Sequence, residues 1–401
     1  MKACFLGLGY IGLPTAIIAA AHGIDVAGTD VNPCIVEQTN AGKLHIKEPE
    51  LDRVLRDVVS TGRLHAYIEP QIADAYFIVV PTPFRGKTHE PDISYVEAAT
   101  RSVIPLLKDG DLFVIESTSP VGTTEKMRDL IFSVRPELIG KIYIAYCPER
   151  VLPGNIIHEL VHNDRVIGGI DDASIEKAKS FYSVFVQGQL HATDCRTAEM
   201  CKLTENASRD AQIAFANELS IICDKAGIDV WKLISLANKH PRVNILQPGC
   251  GVGGHCIAVD PYFITSCYPE ESEYIAKARN VNLGKTQWCI DRIVTEVKAL
   301  AAEKGVKPKV AIMGLAFKPD IDDLRESPAL AIADAISDMF GMDDVLIVEP
   351  NIQSHDKYVL TPYEEAYRSA DIVAFLVRHT EFLNMDLSGN KRILDFCGVC
   401  K

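Results

Sequence analysis

One cysteine of this chain stands in a setting suited to nucleophilic chemistry. Residues 249–261 read Gly249-Cys250-Gly251-Val252-Gly253-Gly254-His255-Cys256-Ile257-Ala258-Val259-Asp260-Pro261. Four glycines in six positions are costly in helix or strand, and they suit a backbone that approaches a ligand closely and then presents a side chain to it. The chain has twelve cysteines, and an ordinary cysteine is a small buried hydrophobe. Cys256 differs by its context: a glycine-rich turn, an acid (Asp260) four residues on, and a dinucleotide-binding signature elsewhere in the chain. That context makes Cys256 the candidate nucleophile.

The dinucleotide signature lies at the start. A short apolar strand at 3–6 runs into Gly7-Leu8-Gly9-Tyr10-Ile11-Gly12, and an apolar helix is expected over 13–21. In this order Gly7 permits the tight turn, Gly9 lets a pyrophosphate approach backbone N–H groups, and Gly12 lets the helix pack on the strand. The helix N-terminus then faces the phosphates. A second strand over 25–29 ends at Asp30, 18 residues after Gly12. An acid there accepts from a ribose 2′-OH and repels a 2′-phosphate, so NAD is expected rather than NADP.

Further strands at 76–80, 112–116 and 143–146 end at Thr82, Thr118 and Glu149-Arg150. In a doubly wound sheet ligands gather at the carboxyl ends of strands. The two threonine hydroxyls either touch the cofactor or cap a turn.

No Gly or Pro interrupts residues 197–226, which read as one long helix ended by Gly227. Lys202, Asn206 and Arg209 share one face of it. A solvated stripe is the ordinary explanation of that spacing. Helices are also expected over 230–237 and 273–304, the latter with an interruption near Gly284. The last third alternates strands at 309–313, 345–348, 372–377 and 393–396 with helices, which is a second α/β domain. It lacks the glycine fingerprint but carries Lys318 and Arg325, either as surface cations or as holders of a second phosphorylated ligand.

The fold class is thus α/β, with two doubly wound Rossmann-like sheet domains joined by a long-helix central domain. The expected divisions are 1–190, 191–300 and 301–401. A formal charge of -13 disfavours a broad nucleic-acid or anionic-membrane surface. No apolar run reaches membrane-helix length, and no signal-peptide pattern is seen. A cytoplasmic protein is expected, with its cysteines as thiols. The terminal pair Cys397 and Cys400 has no second pair to complete a metal site, and no metal is expected.

The blocks GLGYIG, ESTSPVGT, CPERVLPG, AEMCKLTEN, GVGGHCIAVDP and GLAFKPDIDDLRES, in that order, resemble the nucleotide-sugar 6-dehydrogenases of the UDP-glucose/GDP-mannose dehydrogenase family, and the resemblance spans essentially the whole chain. It implies a four-electron oxidation of a sugar CH2OH to a carboxylate with two NAD, through a thiohemiacetal and a thioester on Cys256. Lys202, Asn206, Asp260 and Glu149 are implied as its catalytic partners. A free thiol is only about 3% ionised at pH 7, and Lys202 beside it would raise that fraction. The resemblance assigns Gly7, Gly9, Tyr10, Ile11, Gly12, Asp30, Thr82, Thr118 and Arg325 to the cofactor. It assigns Arg150, Val151, Lys202, Asn206, Arg209, His240, Arg242, Gly253, Phe317 and Lys318 to a UDP-sugar, with Arg242 supplied by a homodimer partner.

The pieces at 150–154, 240–248 and 257–259 differ from the UDP-glucose and UDP-N-acetylglucosamine branches and imply UDP-N-acetyl-D-mannosamine as the sugar. One departure is Phe396-Cys397-Gly398, where relatives carry Ala-Lys-Gly. Other readings are the same chemistry on UDP-N-acetylglucosamine or UDP-glucose, a two-electron dehydrogenase that releases the aldehyde, and a non-catalytic nucleotide-sugar sensor.

Overall fold

The computed structural model describes residues 1–46, 48, 50–86, 89–151, 154–254 and 256–400. Leu152, Pro153 and His255, which belong to the sequence blocks above, lie outside the described residues. The chain divides into two compact units, Met1–Thr204 and Glu205–Lys401.

The first unit is built on one sheet. Its strands are β1 (Lys2–Leu6), β2 (Asp25–Thr29), β3 (Leu64–Tyr67), β4 (Ala75–Ile78), β7 (Leu112–Ile115), β8 (Tyr143–Tyr146), β9 (Arg165–Gly169) and β10 (Leu190–Asp194); Phe84–Arg85 (β5) and Glu90–Pro91 (β6) form a separate short pair. The order is β10-β9-β8-β7-β4-β1-β2-β3. Strands β4 and β7 are buried along their whole length, as parallel strands covered on both faces must be. The register keeps the carboxyl ends level: Leu6 pairs with Thr29 and Ile78, Ile78 with Ile115, and Ile115 with Tyr146. The loops after β1, β2, β4, β7 and β8 therefore share one edge. Only β9 reverses direction against its neighbour β8, with Tyr146 opposite Gly168, so the start of β9 returns Arg165 to that same edge.

Strands β3, β9 and β10 were not expected from the sequence. β3 alternates buried and exposed positions over only four residues, β9 ends in two glycines, and β10 has no buried position. Each lacks the apolar run by which a central strand is recognised.

Helix Cys195–Ala226 leaves β10 without a loop. It starts two residues earlier than expected because Asp194 caps it, its carboxylate accepting from Thr197 N–H at 2.9 Å and Thr197 Oγ1 at 2.7 Å. The unit boundary falls inside this helix, between Thr204 and Glu205.

The second unit packs the remainder of that helix and helix Glu273–Lys304 with a four-stranded parallel sheet of order β12-β11-β13-β14: β11 (Val310–Met313), β12 (Val345–Val348), β13 (Ile372–Phe375) and β14 (Arg392–Asp395). Helix Glu273–Lys304 is continuous through Gly284, which corrects the expected interruption. A glycine costs about 1 kcal/mol against alanine in a helix, and the buried face formed by Cys289, Ile290, Ile293, Val297 and Leu300 outweighs it. Among the described residues no helix is long and apolar enough to cross a membrane.

Candidate active site

The glycine loop of the first unit separates two structural needs from one functional opening. Gly7 has φ +99°, and a Cβ there would lie 2.3 Å from the Val79 carbonyl oxygen. A Cβ on Gly12 would lie 1.9 Å from the Gly7 carbonyl oxygen. Neither position admits a side chain. A Cβ on Gly9 would meet nothing within 4 Å, so this glycine leaves space at the start of helix Gly12–Ala21, where the N–H groups point outward. The space suits a dinucleotide pyrophosphate. Tyr10 is exposed beside it and Ile11 occupies the N-cap. Asp30 faces the loop: its carboxylate accepts from Leu8 N–H at 3.0 Å and Asn32 N–H at 2.9 Å. Thr82 Oγ1 donates to the Thr118 carbonyl at 2.7 Å, which ties the loops after β4 and β7 together.

Behind that edge lies a polar cluster of which the sequence disclosed Glu149 and Arg150 but not Arg165, Tyr182 or Glu116. Glu149 is buried and pairs with buried Arg165, Nη2 to Oε2 at 2.9 Å, while its Oε1 accepts from Arg150 N–H at 2.6 Å. The Arg165 guanidinium lies 5.0 Å from the centre of the Tyr182 ring, and Tyr182 OH donates to Glu116 Oε1 at 2.5 Å. Burial pushes the Glu116 carboxyl up to about 7, against the attraction of Arg165. Arg165 is thus ion-paired to Glu149 and attracts Glu116 only electrostatically, and Glu116 holds a proton near neutrality. Arg150 reaches the Asp164 carbonyl at 3.3 Å, and Val151 is half-buried. Glu199 on helix Cys195–Ala226 is also buried. It accepts from Gly122 N–H at 2.6 Å, Thr124 N–H at 2.8 Å and Thr124 Oγ1 at 2.7 Å, so the first turns of that helix are fixed to the loop bearing Thr118.

Lys202 and Asn206 follow on the same helix, half-buried and one turn apart; Arg209, a further turn on, is exposed. Asn206 Nδ2 donates to Asp260 Oδ2 at 2.5 Å. Asp260 is buried at the first position of helix Asp260–Cys267, and its N–H closes a turn onto the Cys256 carbonyl at 2.8 Å. Cys256 itself is exposed. Asn206, Asp260 and the Cys256 backbone are therefore one assembly.

The glycines before Cys256 seat the loop on the segment after β11. A Cβ on Gly253 would lie 2.4 Å from the Glu326 carbonyl oxygen and 2.8 Å from Phe317 Cβ, and one on Gly254 would enter the Phe317 ring. Gly254 N–H donates to the Arg325 carbonyl at 3.2 Å. Lys318 is exposed next to Phe317. The loop from Gly314 is held from below by Glu349, which accepts from Leu315 N–H at 2.7 Å, Ala316 N–H at 2.9 Å and His379 Nε2 at 3.0 Å. Neither Glu349 nor His379 was singled out in the sequence. The Arg325 guanidinium forms a two-point pair with Asp323, at 2.6 and 2.9 Å. His240 and Arg242 lie together on an exposed turn, Arg242 N–H donating to His240 Nδ1 at 3.3 Å. At the C-terminus Cys397 is buried and its thiol pushed well up by that burial, and the Cys400 thiol is pushed up to about 11 for the same reason.

Residues 1–186 match the NAD binding domain of the UDP-glucose/GDP-mannose dehydrogenase family, residues 196–283 its central domain and residues 311–401 its UDP binding domain. The chain is 50% identical over 411 residues to a UDP-N-acetyl-D-mannosamine dehydrogenase of Campylobacter jejuni, covering 99% of each chain. It is 50% identical to an NDP-N-acetyl-D-galactosaminuronic acid dehydrogenase of Ralstonia nicotianae, covering 95% of this chain and 91% of the relative. Among solved structures it is similar to the UDP-N-acetyl-mannosamine dehydrogenase of Staphylococcus aureus, with a TM-score of 0.89 and 41% identity over 100% of this chain and 95% of the other. The chain belongs to the UDP-glucose/GDP-mannose dehydrogenase family and is an NAD-dependent nucleotide-sugar dehydrogenase.

Proposed function

We propose that this enzyme oxidises UDP-N-acetyl-D-mannosamine at C6 to UDP-N-acetyl-D-mannosaminuronate, with Cys256 as the covalent nucleophile. The observation that carries the chemistry is an exposed thiol on a glycine-built loop whose backbone is tied to buried Asp260 and, through it, to half-buried Asn206. The sugar rests on the near-full-length similarity to UDP-N-acetyl-D-mannosamine dehydrogenases and on the pieces at 150–154, 240–248 and 257–259.

The glycine loop would hold NAD, which would supply the hydride acceptor for each of the two oxidations. In the first, the C6 hydroxyl gives its proton to a base, Lys202 acting directly or through water, and an aldehyde forms. The Cys256 thiolate then adds to C6, and the resulting oxyanion takes a proton to give a thiohemiacetal, which keeps the intermediate bound. Loss of the second hydride and the hydroxyl proton leaves a thioester. Water adds to its carbonyl, the C–S bond breaks, and the thiolate and the carboxylate product are released. Lys202 and Asn206 stabilise the oxyanions, and Asp260 fixes the Asn206 amide. Glu149, oriented by Arg165, is the group for the hydrolytic water.

Arg150, Val151, Arg209, His240, Arg242, Gly253, Phe317 and Lys318 bind the UDP-sugar in this reading. Gly7, Gly9, Tyr10, Ile11, Gly12, Asp30, Thr82, Thr118 and Arg325 bind NAD. The exposed apolar residues Phe215 and Ile222 on helix Cys195–Ala226, with Leu236 and Leu283, support a homodimer through the central helices. The twelve cysteines, read as thiols, support a cytoplasmic location.

The test is the NADH released per limiting UDP-sugar, with UDP-N-acetylmannosamine, UDP-N-acetylgalactosamine, UDP-N-acetylglucosamine and UDP-glucose in parallel. Two NADH from the first sugar and little from the others is the expected result. Two from UDP-N-acetylgalactosamine instead would transfer the assignment to the reaction named for the Ralstonia relative. One NADH would remove the thioester, and none from any sugar would favour another nucleotide sugar as substrate or a nucleotide-sugar sensor.

A further inference from the structure

The two long helices of the second unit bury a set of polar side chains that have no place in the chemistry above. Asp210 and Asn217 lie on helix Cys195–Ala226, and Arg279 and Asn282 on helix Glu273–Lys304; all four are buried. A solvated stripe would be exposed, so the sequence pattern of these helices has another cause.

The hydrogen bonds among them run in one direction. Asp210 is an acceptor, and it takes Asn282 Nδ2 on its Oδ1 at 2.8 Å and on its carbonyl at 3.0 Å. That commits the Asn282 amide, whose Oδ1 then faces Asn217 and accepts from Asn217 Nδ2 at 2.9 Å. That in turn commits the Asn217 amide, whose Oδ1 accepts from Gly249 N–H at 2.9 Å. Neither amide can be turned over without setting two oxygens against each other. The charge at one end of the chain therefore dictates an acceptor at the other, beneath the first residue of the glycine loop.

The circuit closes on the far side of the same loop. Arg279 Nη1 pairs with Asp210 Oδ1 at 2.8 Å and reaches the Ile257 carbonyl at 3.4 Å, one residue beyond Cys256. Between these anchors Thr286 Oγ1, from the same helix as Arg279, donates to the Cys250 carbonyl at 2.9 Å. A loop rich in glycine has the largest conformational entropy to lose, and this one is gripped at residues 249, 250 and 257 by side chains from rigid helices.

We infer that Asp210, Arg279, Asn282, Asn217 and Thr286 form a positioning circuit that holds the Cys256 loop at both ends in the geometry required for attack on C6. The inference rests on the reading of Cys256 as nucleophile. These residues act through the loop backbone. Their loss moves the thiol while leaving NAD binding, which belongs to the first unit, intact. A displaced thiol captures the aldehyde slowly, so the first oxidation outruns the second and aldehyde escapes.

The experiment compares Asn217→Asp, Arg279→Lys and Thr286→Val with the parent enzyme and with Cys256→Ala. Asn217→Asp keeps the shape but sets an oxygen against Asn282 Oδ1; Arg279→Lys keeps the charge but draws back the single nitrogen, Nη1, that serves both Asp210 and Ile257. Both are expected to lower kcat about 10- to 100-fold, with the UDP-sugar KM and the NAD Kd changed less than about twofold, and NADH per sugar falling from two towards one with free aldehyde trapped by a hydrazine. Thr286→Val, which threatens folding least, is expected to lower kcat about threefold with the same fall in stoichiometry. A loss of activity that only tracks the amount of folded protein, with two NADH per sugar retained in all three variants, would overturn the circuit. If Cys256→Ala also yields two NADH per sugar, it is the nucleophile reading that fails, and the inference fails with it.

Discussion

Two buried polar clusters, one in each unit, solve the same problem with different means. At the edge of the N-terminal sheet, two buried carboxylates face one guanidinium: Arg165 is ion-paired to Glu149 and attracts Glu116 only electrostatically. Between the helices of the second unit, Asp210 has Arg279 to itself and accepts from the Asn282 amide, which in turn accepts from Asn217. The first cluster has an acid in surplus, and burial resolves it by keeping a proton on Glu116 close to neutral pH. The second is balanced in charge, and its excess bonding capacity fixes orientation. A surplus makes a cluster responsive to protons, whereas balance combined with one-way hydrogen bonding makes it stiff.

The largest contrast is expected from removing each cation. Arg165→Met strands Glu149 and deprives Glu116 of its attraction, with an expected loss of about 3–5 kcal/mol in urea unfolding. Arg279→Met leaves Asp210 with its bonds from Asn282, so the expected loss is smaller, about 2 kcal/mol. Equal losses would break the distinction between surplus and balance.

A second expectation concerns pH. The folded carboxyl of Glu116 titrates near 7 and the unfolded one near 4.5, so between these values the folded state binds more protons. Stability is then lost as pH rises from 4.5 to 7 and changes no further above. Tm measured from pH 5 to 8 should carry this decline in the parent protein and lack it in Glu116→Gln. A decline that survives the substitution would assign it to another group.

The smallest expected effect sharpens the comparison with a third solution, a buried carboxylate satisfied by neutral N–H and O–H donors. Glu199 accepts from Gly122 N–H and from both the N–H and hydroxyl of Thr124, at the start of helix Thr123–Val134. Glu199→Gln removes one acceptor from this cap, with an expected cost of about 1 kcal/mol read by thermal unfolding.

These clusters also mark the limit of what the sequence discloses. Gly7, Gly12 and Asp30 are legible because the requirement they meet is local: a turn, a helix packed on its own strand, an acid at the end of the next strand. The apolar runs of β4, β7, β8 and β11 are legible for the same reason, as is the helix stop at Gly227. Asp210, Asn217, Arg279 and Asn282 read as ordinary polar positions on long helices, since burial is a property of what packs against them. Arg165 reads as the start of a weak, glycine-ended segment, and only the reversal of β9 against β8 brings it to Glu149, 16 residues earlier. The glycine loops predict where ligands gather, but carboxylates such as Glu349 and Glu199 that brace loops from behind come from 33 and 77 residues away.

The distribution of thiols has a practical consequence. Seven of the twelve cysteines are buried and one is half-buried, leaving Cys34, Cys256, Cys267 and Cys400 at the surface. Burial pushes Cys147, Cys195 and Cys250 up to about 12, and Cys400 is pushed up to about 11, so alkylating reagents find few reactive partners at neutral pH. Replacing Cys34 and Cys267 with serine would leave a molecule in which a maleimide dye reports on little besides Cys256, turning the proposed nucleophile into its own fluorescence label.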